Sequence, residues 1–200
     1  MTDGDRALIR VSGALASGDK VALAEAFSQA RGVAEDSEVE EVLLQSYLFL
    51  GFPASLNGMA AWRRLTRSEP TGPTSPDYSE WESRGREVCR AVYSGQYERL
   101  RETVRALHAD LEQWMVVEGY GKVLGRPGLA LVMRELCIVA TLAVTGASKQ
   151  LYSHLRGALN VGAPPADVDV ALAEAERFLD AEGRRSAAAL WERVQRRYAG

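Results

Sequence analysis

The sequence predicts an all-α fold, a helical bundle, and three observations carry that prediction. Apolar residues recur at spacings of three and four along most of the chain, and no run of alternating β-branched residues bounded by turns interrupts them. The two ends of the chain can also be laid over each other as four-helix units, with further helices bridging them. Composition agrees, since 46% hydrophobic and 26% charged residues over 200 positions describe a chain able to bury a core.

Ala7 to Ala16 reads as a first apolar helix, and Lys20 to Arg31 as a second after Ser17-Gly18-Asp19. Ser37, with Glu40 three residues on, forms a capping-box pattern for a helix reaching Leu50. Gly51-Phe52-Pro53 breaks it, and proline suits the first turn of a new helix through Leu65 because its missing N–H would be unpaired there anyway. Residues 66–78 hold three prolines and several hydroxyl residues and read as a linker between an N-terminal segment, 1–65, and a C-terminal segment, 79–200. Helices follow at Ser79 to Tyr93 and Tyr97 to Val117, the latter with Leu100, Val104, Leu107, Leu111 and Trp114 in one stripe that needs a partner surface. Gly119-Tyr120-Gly121-Lys122 reads as a helix-breaking turn, since no strand or Walker spacing accompanies it. An apolar helix from Leu129 to Val144 then turns at Gly146 into Ala147 to Leu159. Gly162 supplies a left-handed cap, and helices near Ala166 to Ala181 and Arg184 to Tyr198 finish the chain.

Laying 7–34 on 135–162 and 35–65 on 164–194 gives 13 identities in 59 pairs. They include Gly18 with Gly146, Leu23 with Leu151, Phe49 with Phe178, Trp62 with Trp191 and Arg64 with Arg193. Shared amphipathic patterning would produce some of these, but the coincident turns and tryptophans favour a four-helix repeat.

Charge and cysteine usage exclude several classes. A net charge of −3, with 21 of 24 cations arginine, offers no basic stripe for nucleic acid. Cys89 and Cys137 make neither a C-x-x-C pair nor a zinc half-site. The start of the chain has no apolar leader, and the longest near-apolar run, Leu136 to Val144, is too short to cross a bilayer. A cytoplasmic protein without membrane or nucleic-acid partners is the expectation. His108 and His154 have no ligand cluster around them, so no metal is expected; His108 reads as a helix-surface pair with Glu112.

Glu135 shares a helical face with Leu131, Ile138, Val139 and Leu142. A carboxylate on such a face must find a partner, a solvated cavity or a proton, unless the helix turns it outward to solvent. His154 lies on the next helix beside Ala147, Leu151 and Ala158, where a histidine can be either a satisfied core residue or a catalyst. Both stand at similar distances from the turn at Gly146, so the carboxylate could touch the imidazole across the hairpin, fix its tautomer and raise its basicity.

Gly125-Arg126-Pro127-Gly128-Leu129, Arg134-Glu135-Leu136 and the stretch LAVTGASKQLYSHLRGALNVGAPPADV together resemble the carboxymuconolactone decarboxylase family, and VEEVLLQSYLFLGFPASLNGMAAW (39–62) resembles the back half of that family's unit. The resemblance implies an alkylhydroperoxidase D-like helical bundle and a homo-oligomer with sites between subunits. The alkylhydroperoxidase D branch uses a Glu, a C-x-x-C pair and a His. Here the Glu and His spacing is kept as Glu135 and His154, while Ala147 and Gln150 stand at the cysteine positions, which removes a disulfide-cycling peroxidase mechanism. Each half lacks what the other keeps. Glu135 and His154 correspond to Ala7 and to Glu25 or Ala26, and Gly51-Phe52-Pro53 to Asp180-Ala181-Glu182. One composite site per chain follows, or else a decayed duplicate.

The family's reaction, loss of CO₂ from a small carboxylated lactone, needs no cofactor. It needs a proton donor, an orienter for that donor and cations for carboxylate and oxyanion. The resemblance casts His154 as donor, Glu135 as orienter and Arg126 or Arg134 as substrate ligand; Arg126 is the better placed because Arg134 adjoins Glu135 and points about 100° away around the helix. A non-catalytic helical oligomer or binding module is the alternative, and a peroxide-handling protein is a weaker one.

Overall fold

Thr2 opens the first helix one turn before its apolar stripe begins. Its hydroxyl accepts from the Asp5 N–H at 3.1 Å while the Asp5 carboxylate accepts from the Thr2 N–H at 2.7 Å, a reciprocal cap that starts α1 at Asp3 (Asp3–Ser17) rather than at Ala7. The structure, a computed structural model, describes residues 1–69 and 78–198. Among the described residues no strand forms; Arg31 and Ala34 make an isolated bridge. The all-α expectation holds.

The helices in order are α1, α2 (Lys20–Ala30), α3 (Asp36–Gln45), α4 (Tyr47–Thr66), α5 (Tyr78–Tyr93), α6 (Tyr97–Leu107), α7 (Ala109–Trp114), α8 (Leu131–Val144), α9 (Ser148–Asn160), α10 (Pro165–Ala175) and α11 (Ala181–Tyr198). The chain divides into two compact units, one made of 1–68 with 128–200 and one of 69–127. Residues 70–77, most of the stretch read as a linker, lie outside the described residues.

In the first unit α1 and α8 form the central pair. Leu8, Ile9, Val11 and Ala14 of α1 and almost all of α8 from Arg134 to Ala143 are buried, and each such aliphatic side chain contributes about 1.5–3 kcal/mol against exposure. The helices α2 and α3 pack on α1, α9 and α10 on α8, and α11 closes on α9. Gly18 (φ 71°) and Gly146 (φ 69°) end α1 and α8 in the same left-handed conformation, so each central helix turns into its neighbour in the same way. Gly51 (φ 79°, ψ 165°) breaks α4 as expected, and Pro53 sits in the first turn of the resumed helix.

Ser37 does not cap α3. Glu35 holds the N-cap without a side-chain bond, and Asp36 and Glu38 place negative charge in the first turn instead, where it favours the helix dipole. The helix expected from Ala166 to Ala181 ends at Ala175 and tightens into a 3₁₀ turn at Glu176–Phe178.

In the second unit the helix expected from Tyr97 to Val117 is broken at His108, which is extended (φ −164°) and accepts from the Asp110 N–H at 3.1 Å to cap α7. Glu112 is therefore not the partner of His108; it is buried against Arg101 and Arg105. The turn expected at Gly119 to Lys122 is instead part of a π-helical stretch, Met115–Leu124. A Cβ at Gly121 would lie 1.9 Å from the Trp81 carbonyl oxygen, so that glycine lets two helical backbones touch rather than ending a helix.

Candidate active site

Two features of the sequence place a carboxylate and an imidazole side by side. The apolar run of α8 buries the face that carries Glu135, and the left-handed turn at Gly146 folds α9 back so that His154 comes level with it. Glu135 is fully buried and His154 is 5% exposed. Their side chains meet at 2.8 Å, His154 Nδ1 to Glu135 Oε2. The helix phase that would turn Glu135 to solvent is thereby excluded.

That contact fixes the tautomer. A carboxylate facing Nδ1 accepts from the Nδ1–H and keeps the proton on that nitrogen, which leaves Nε2 as the atom that exchanges protons with anything outside the pair. Glu135 Oε1 is buried and finds no hydrogen-bond partner among the described residues. A buried carboxylate oxygen in that condition calls for a proton, a water or a ligand donor.

Phe49, from the other end of the chain, meets the imidazole in a T-shaped contact, with centroids 6.0 Å apart and planes at 85°. It stands in the first turn of α4, two residues before the break at Gly51, so the short helical segment ahead of that break delivers an aromatic wall to His154. Sequence reasoning did not single out Phe49 as a site residue, although its identity with Phe178 across the two halves was visible.

Arg134 is fully buried. Its Nη2 donates to Glu41 Oε2 at 2.8 Å, its Nη1 to Gln45 Oε1 at 3.4 Å and its Nε to the Leu129 carbonyl at 3.2 Å, while Gln45 Nε2 donates back to the Arg134 carbonyl at 3.5 Å. The guanidinium thus ties α8 to α3, four residues before Phe49. Arg126 lies in the second unit, half-buried, its N–H directed to the Val123 carbonyl at 3.4 Å. The structure therefore brings Glu135 and His154 together and ties the Arg134 guanidinium to α3.

A matching arrangement occurs at the other end of the same unit. Arg6 Nε and Nη2 donate to Glu174 Oε1 at 3.2 and 3.0 Å. In the register of the two halves Arg6 corresponds to Arg134 and Glu174 to Gln45, so each half's first helix sends an arginine to the other half's third helix. Around Glu25 and Ala26, the positions laid on His154 in that register, a cavity of about 530 Å³ is lined by Ala22, Glu25, Ala26 and Phe178 among others.

Ala147 caps α9 and Gln150 is exposed; Cys89 and Cys137 are both buried thiols, and burial pushes the Cys137 thiol up to about 12. Among the described residues no group of three or more His, Cys, Asp or Glu side chains is disposed to hold a metal ion, and no helix is long and apolar enough to cross a membrane.

Residues 111–193 match the carboxymuconolactone decarboxylase family, the same family that the residues around Glu135 and His154 resemble. A curated relative, peroxisomal protein 2 of Schizosaccharomyces pombe, is 28% identical over 135 residues, covering 63% of this chain. The match spans 61% of that relative's length.

Proposed function

With residues 111–193 carrying a carboxymuconolactone decarboxylase family domain, we propose that the protein is a cofactor-free carboxy-lyase acting on a small carboxylated lactone or a related acid. The observation that carries this reading is the buried contact of His154 Nδ1 with Glu135 Oε2 at 2.8 Å in a domain of that family. The C–C bond to the carboxylate breaks, CO₂ leaves, and the electron pair passes into the conjugated lactone as an enolate. One proton from His154 Nε2 then goes to a ring carbon. Glu135 keeps the imidazolium oriented and compensates its charge, and the neutral imidazole recovers a proton from solvent.

Arg126 is proposed as the cation for the substrate's carboxylate or oxyanion. Arg134, whose N–H groups already reach Glu41, Gln45 and the Leu129 carbonyl, acts in this reading by holding the corner that presents Phe49. The site is composite, built from α8 and α9 of one half and the Phe49 to Gly51 corner of the other; the reciprocal contacts of Arg6 and Arg134 support a true internal repeat. A homo-oligomer is proposed as well, since Leu107 at the end of α6 and Leu111 and Trp114 of α7 are large apolar side chains that stand 76%, 50% and 58% exposed.

For localisation, two buried cysteines kept as thiols suit a reducing cytoplasm, while the relative's name makes the peroxisome the competing compartment. A panel of unsaturated carboxylated lactones, followed by CO₂ release with wild type and His154→Gln, tests the reading. Release by wild type and its loss in the variant support it; no release from any member, with the fold intact, favours a binding module.

A further inference from the structure

The groove between α1, α2 and α4 is a cavity of about 580 Å³, within the range of small-molecule sites. Leu15, Leu23, Phe27 and Ala61 form its walls and Gly58 its floor, with Lys20 and Arg64 at the mouth. A Cβ on Gly58 would press on Leu43 and Leu15 at 3.0 and 3.1 Å, so the missing side chain lets α4 pack closely beneath the groove. Among the described residues neither Lys20 nor Arg64 makes an ion pair, and the Asp19 carboxylate beside them is turned to the Val21 and Ala22 N–H groups as the α2 cap.

The other half of the molecule shows what fits such a groove. Between α8, α9 and α11 lies the counterpart, about 520 Å³, with Gly146, Leu151 and Ala187 where the first has Gly18, Leu23 and Gly58. It stops short of Tyr152 and Arg193, because there the helices are bridged: the Arg193 guanidinium lies 4.7 Å from the Tyr152 ring centre, and Arg197 Nη1 donates to the Tyr152 hydroxyl at 3.0 Å. In the first half Arg193 is matched by Arg64, but Tyr152 is matched by Ala24. The groove accordingly runs on past Ala24 to Ser28 and Leu65. A ring is missing where its cation has been kept.

We propose that this groove binds a small aromatic carboxylate, its ring over Arg64 in the place that Tyr152 takes over Arg193, and its anionic group toward Lys20. A flat ring supplies the face that a guanidinium prefers, the apolar walls cover its other side, and the Lys20 ammonium answers the carboxylate's single negative charge. The inference rests on the register between the halves and is independent of the chemistry of Glu135 and His154.

Benzoate, cyclohexanecarboxylate and hexanoate titrated into the full chain, by calorimetry and by methyl NMR, test it. Benzoate should bind most tightly and shift the Leu23 and Leu65 methyls. Arg64→Gln should weaken it about fivefold, the scale of one exposed cation–π contact. Ala24→Tyr should weaken it about tenfold or more, because a tethered ring competes as an intramolecular occupant. His154→Gln should leave benzoate affinity unchanged, which separates this site from the proposed active site. Equal affinity for benzoate and hexanoate, shifts confined to methyls outside the groove, or loss of binding in His154→Gln would each overturn the proposal, as would full affinity in a folded Ala24→Tyr variant. Should Ala24→Tyr fail to fold, Arg64→Gln and the methyl shifts decide the matter.

Discussion

Phe49 and His154 meet edge to face, with ring centroids 6.0 Å apart, and they come from opposite halves of the chain. The imidazole is held by Glu135 at Nδ1 and packed nearly at right angles to the Phe49 ring. An aromatic contact of this kind contributes about 0.5–1.5 kcal/mol beyond its buried area, but its larger effect on turnover is to restrict where the imidazole can swing. Phe49→Leu, close in volume, should cost no more than about 1.5 kcal/mol of stability and lower kcat by about tenfold through lost orientation. Phe178→Leu, the corresponding change in the other half, should leave kcat unaltered. Equal losses in the two variants would show that Phe49 acts only through stability.

The buried pair itself should respond as one unit. His154→Gln removes the proton donor and should lower turnover by about 10²- to 10⁴-fold. Glu135→Gln keeps the shape, removes the charge and should give an intermediate loss. The double variant should be little worse than His154→Gln alone, since groups that act together are not additive. Additive losses, measured as kcat/KM on a lactone that the wild type decarboxylates, would contradict the assignment. Both variants should unfold in a single transition, because amides can occupy the volume that the pair leaves.

The helices were legible because each buries one face, and the period of that face is written in the sequence. Glu135 was legible for the same reason: it interrupts the apolar face of α8, and a charge there demands a partner. Phe49 was not legible as a site residue, because an aromatic residue before a helix break reads as core until the other half is known to lie against it. His108 misled in a similar way. Its imidazole accepts a backbone N–H in a role usually taken by Ser or Asp, so a break appears where the apolar period runs on. The role of Arg134 depended on distant Glu41 and Gln45, which spacing along one helix cannot show.

Cys89 and Cys137 should be chemically silent in the folded protein. Both are buried, and burial pushes the Cys137 thiol up to about 12, so at pH 8 roughly one molecule in ten thousand carries that thiolate. A disulfide reagent at pH 8 should react only as fast as the protein unfolds, and a Cys89→Ser, Cys137→Ser double variant should keep any activity. Rapid labelling of the native protein, or lost turnover with the fold preserved, would revive a thiol mechanism.

Glu174 should make the first unit sensitive to acid. Its carboxylate is 1% exposed and accepts from Arg6 and Arg10, with Arg177 3.0 Å away. Burial alone would push its carboxyl up, but the Arg10 and Arg6 hydrogen bonds outweigh burial and hold it below the usual carboxylate range. A group depressed in the folded state stabilises fully above its unfolded value and loses that contribution as pH falls through the folded one. Glu174→Gln should therefore cost about 2 kcal/mol at pH 7, less than for a fully enclosed pair because Arg6 and Arg177 can turn to water. The gap between variant and wild type should close as the solution is taken below about pH 4. Denaturant melts of both proteins from pH 7 to pH 3 measure that gap, and a gap that stays constant across the range would mean that the charge of Glu174 does not hold α10 to α1.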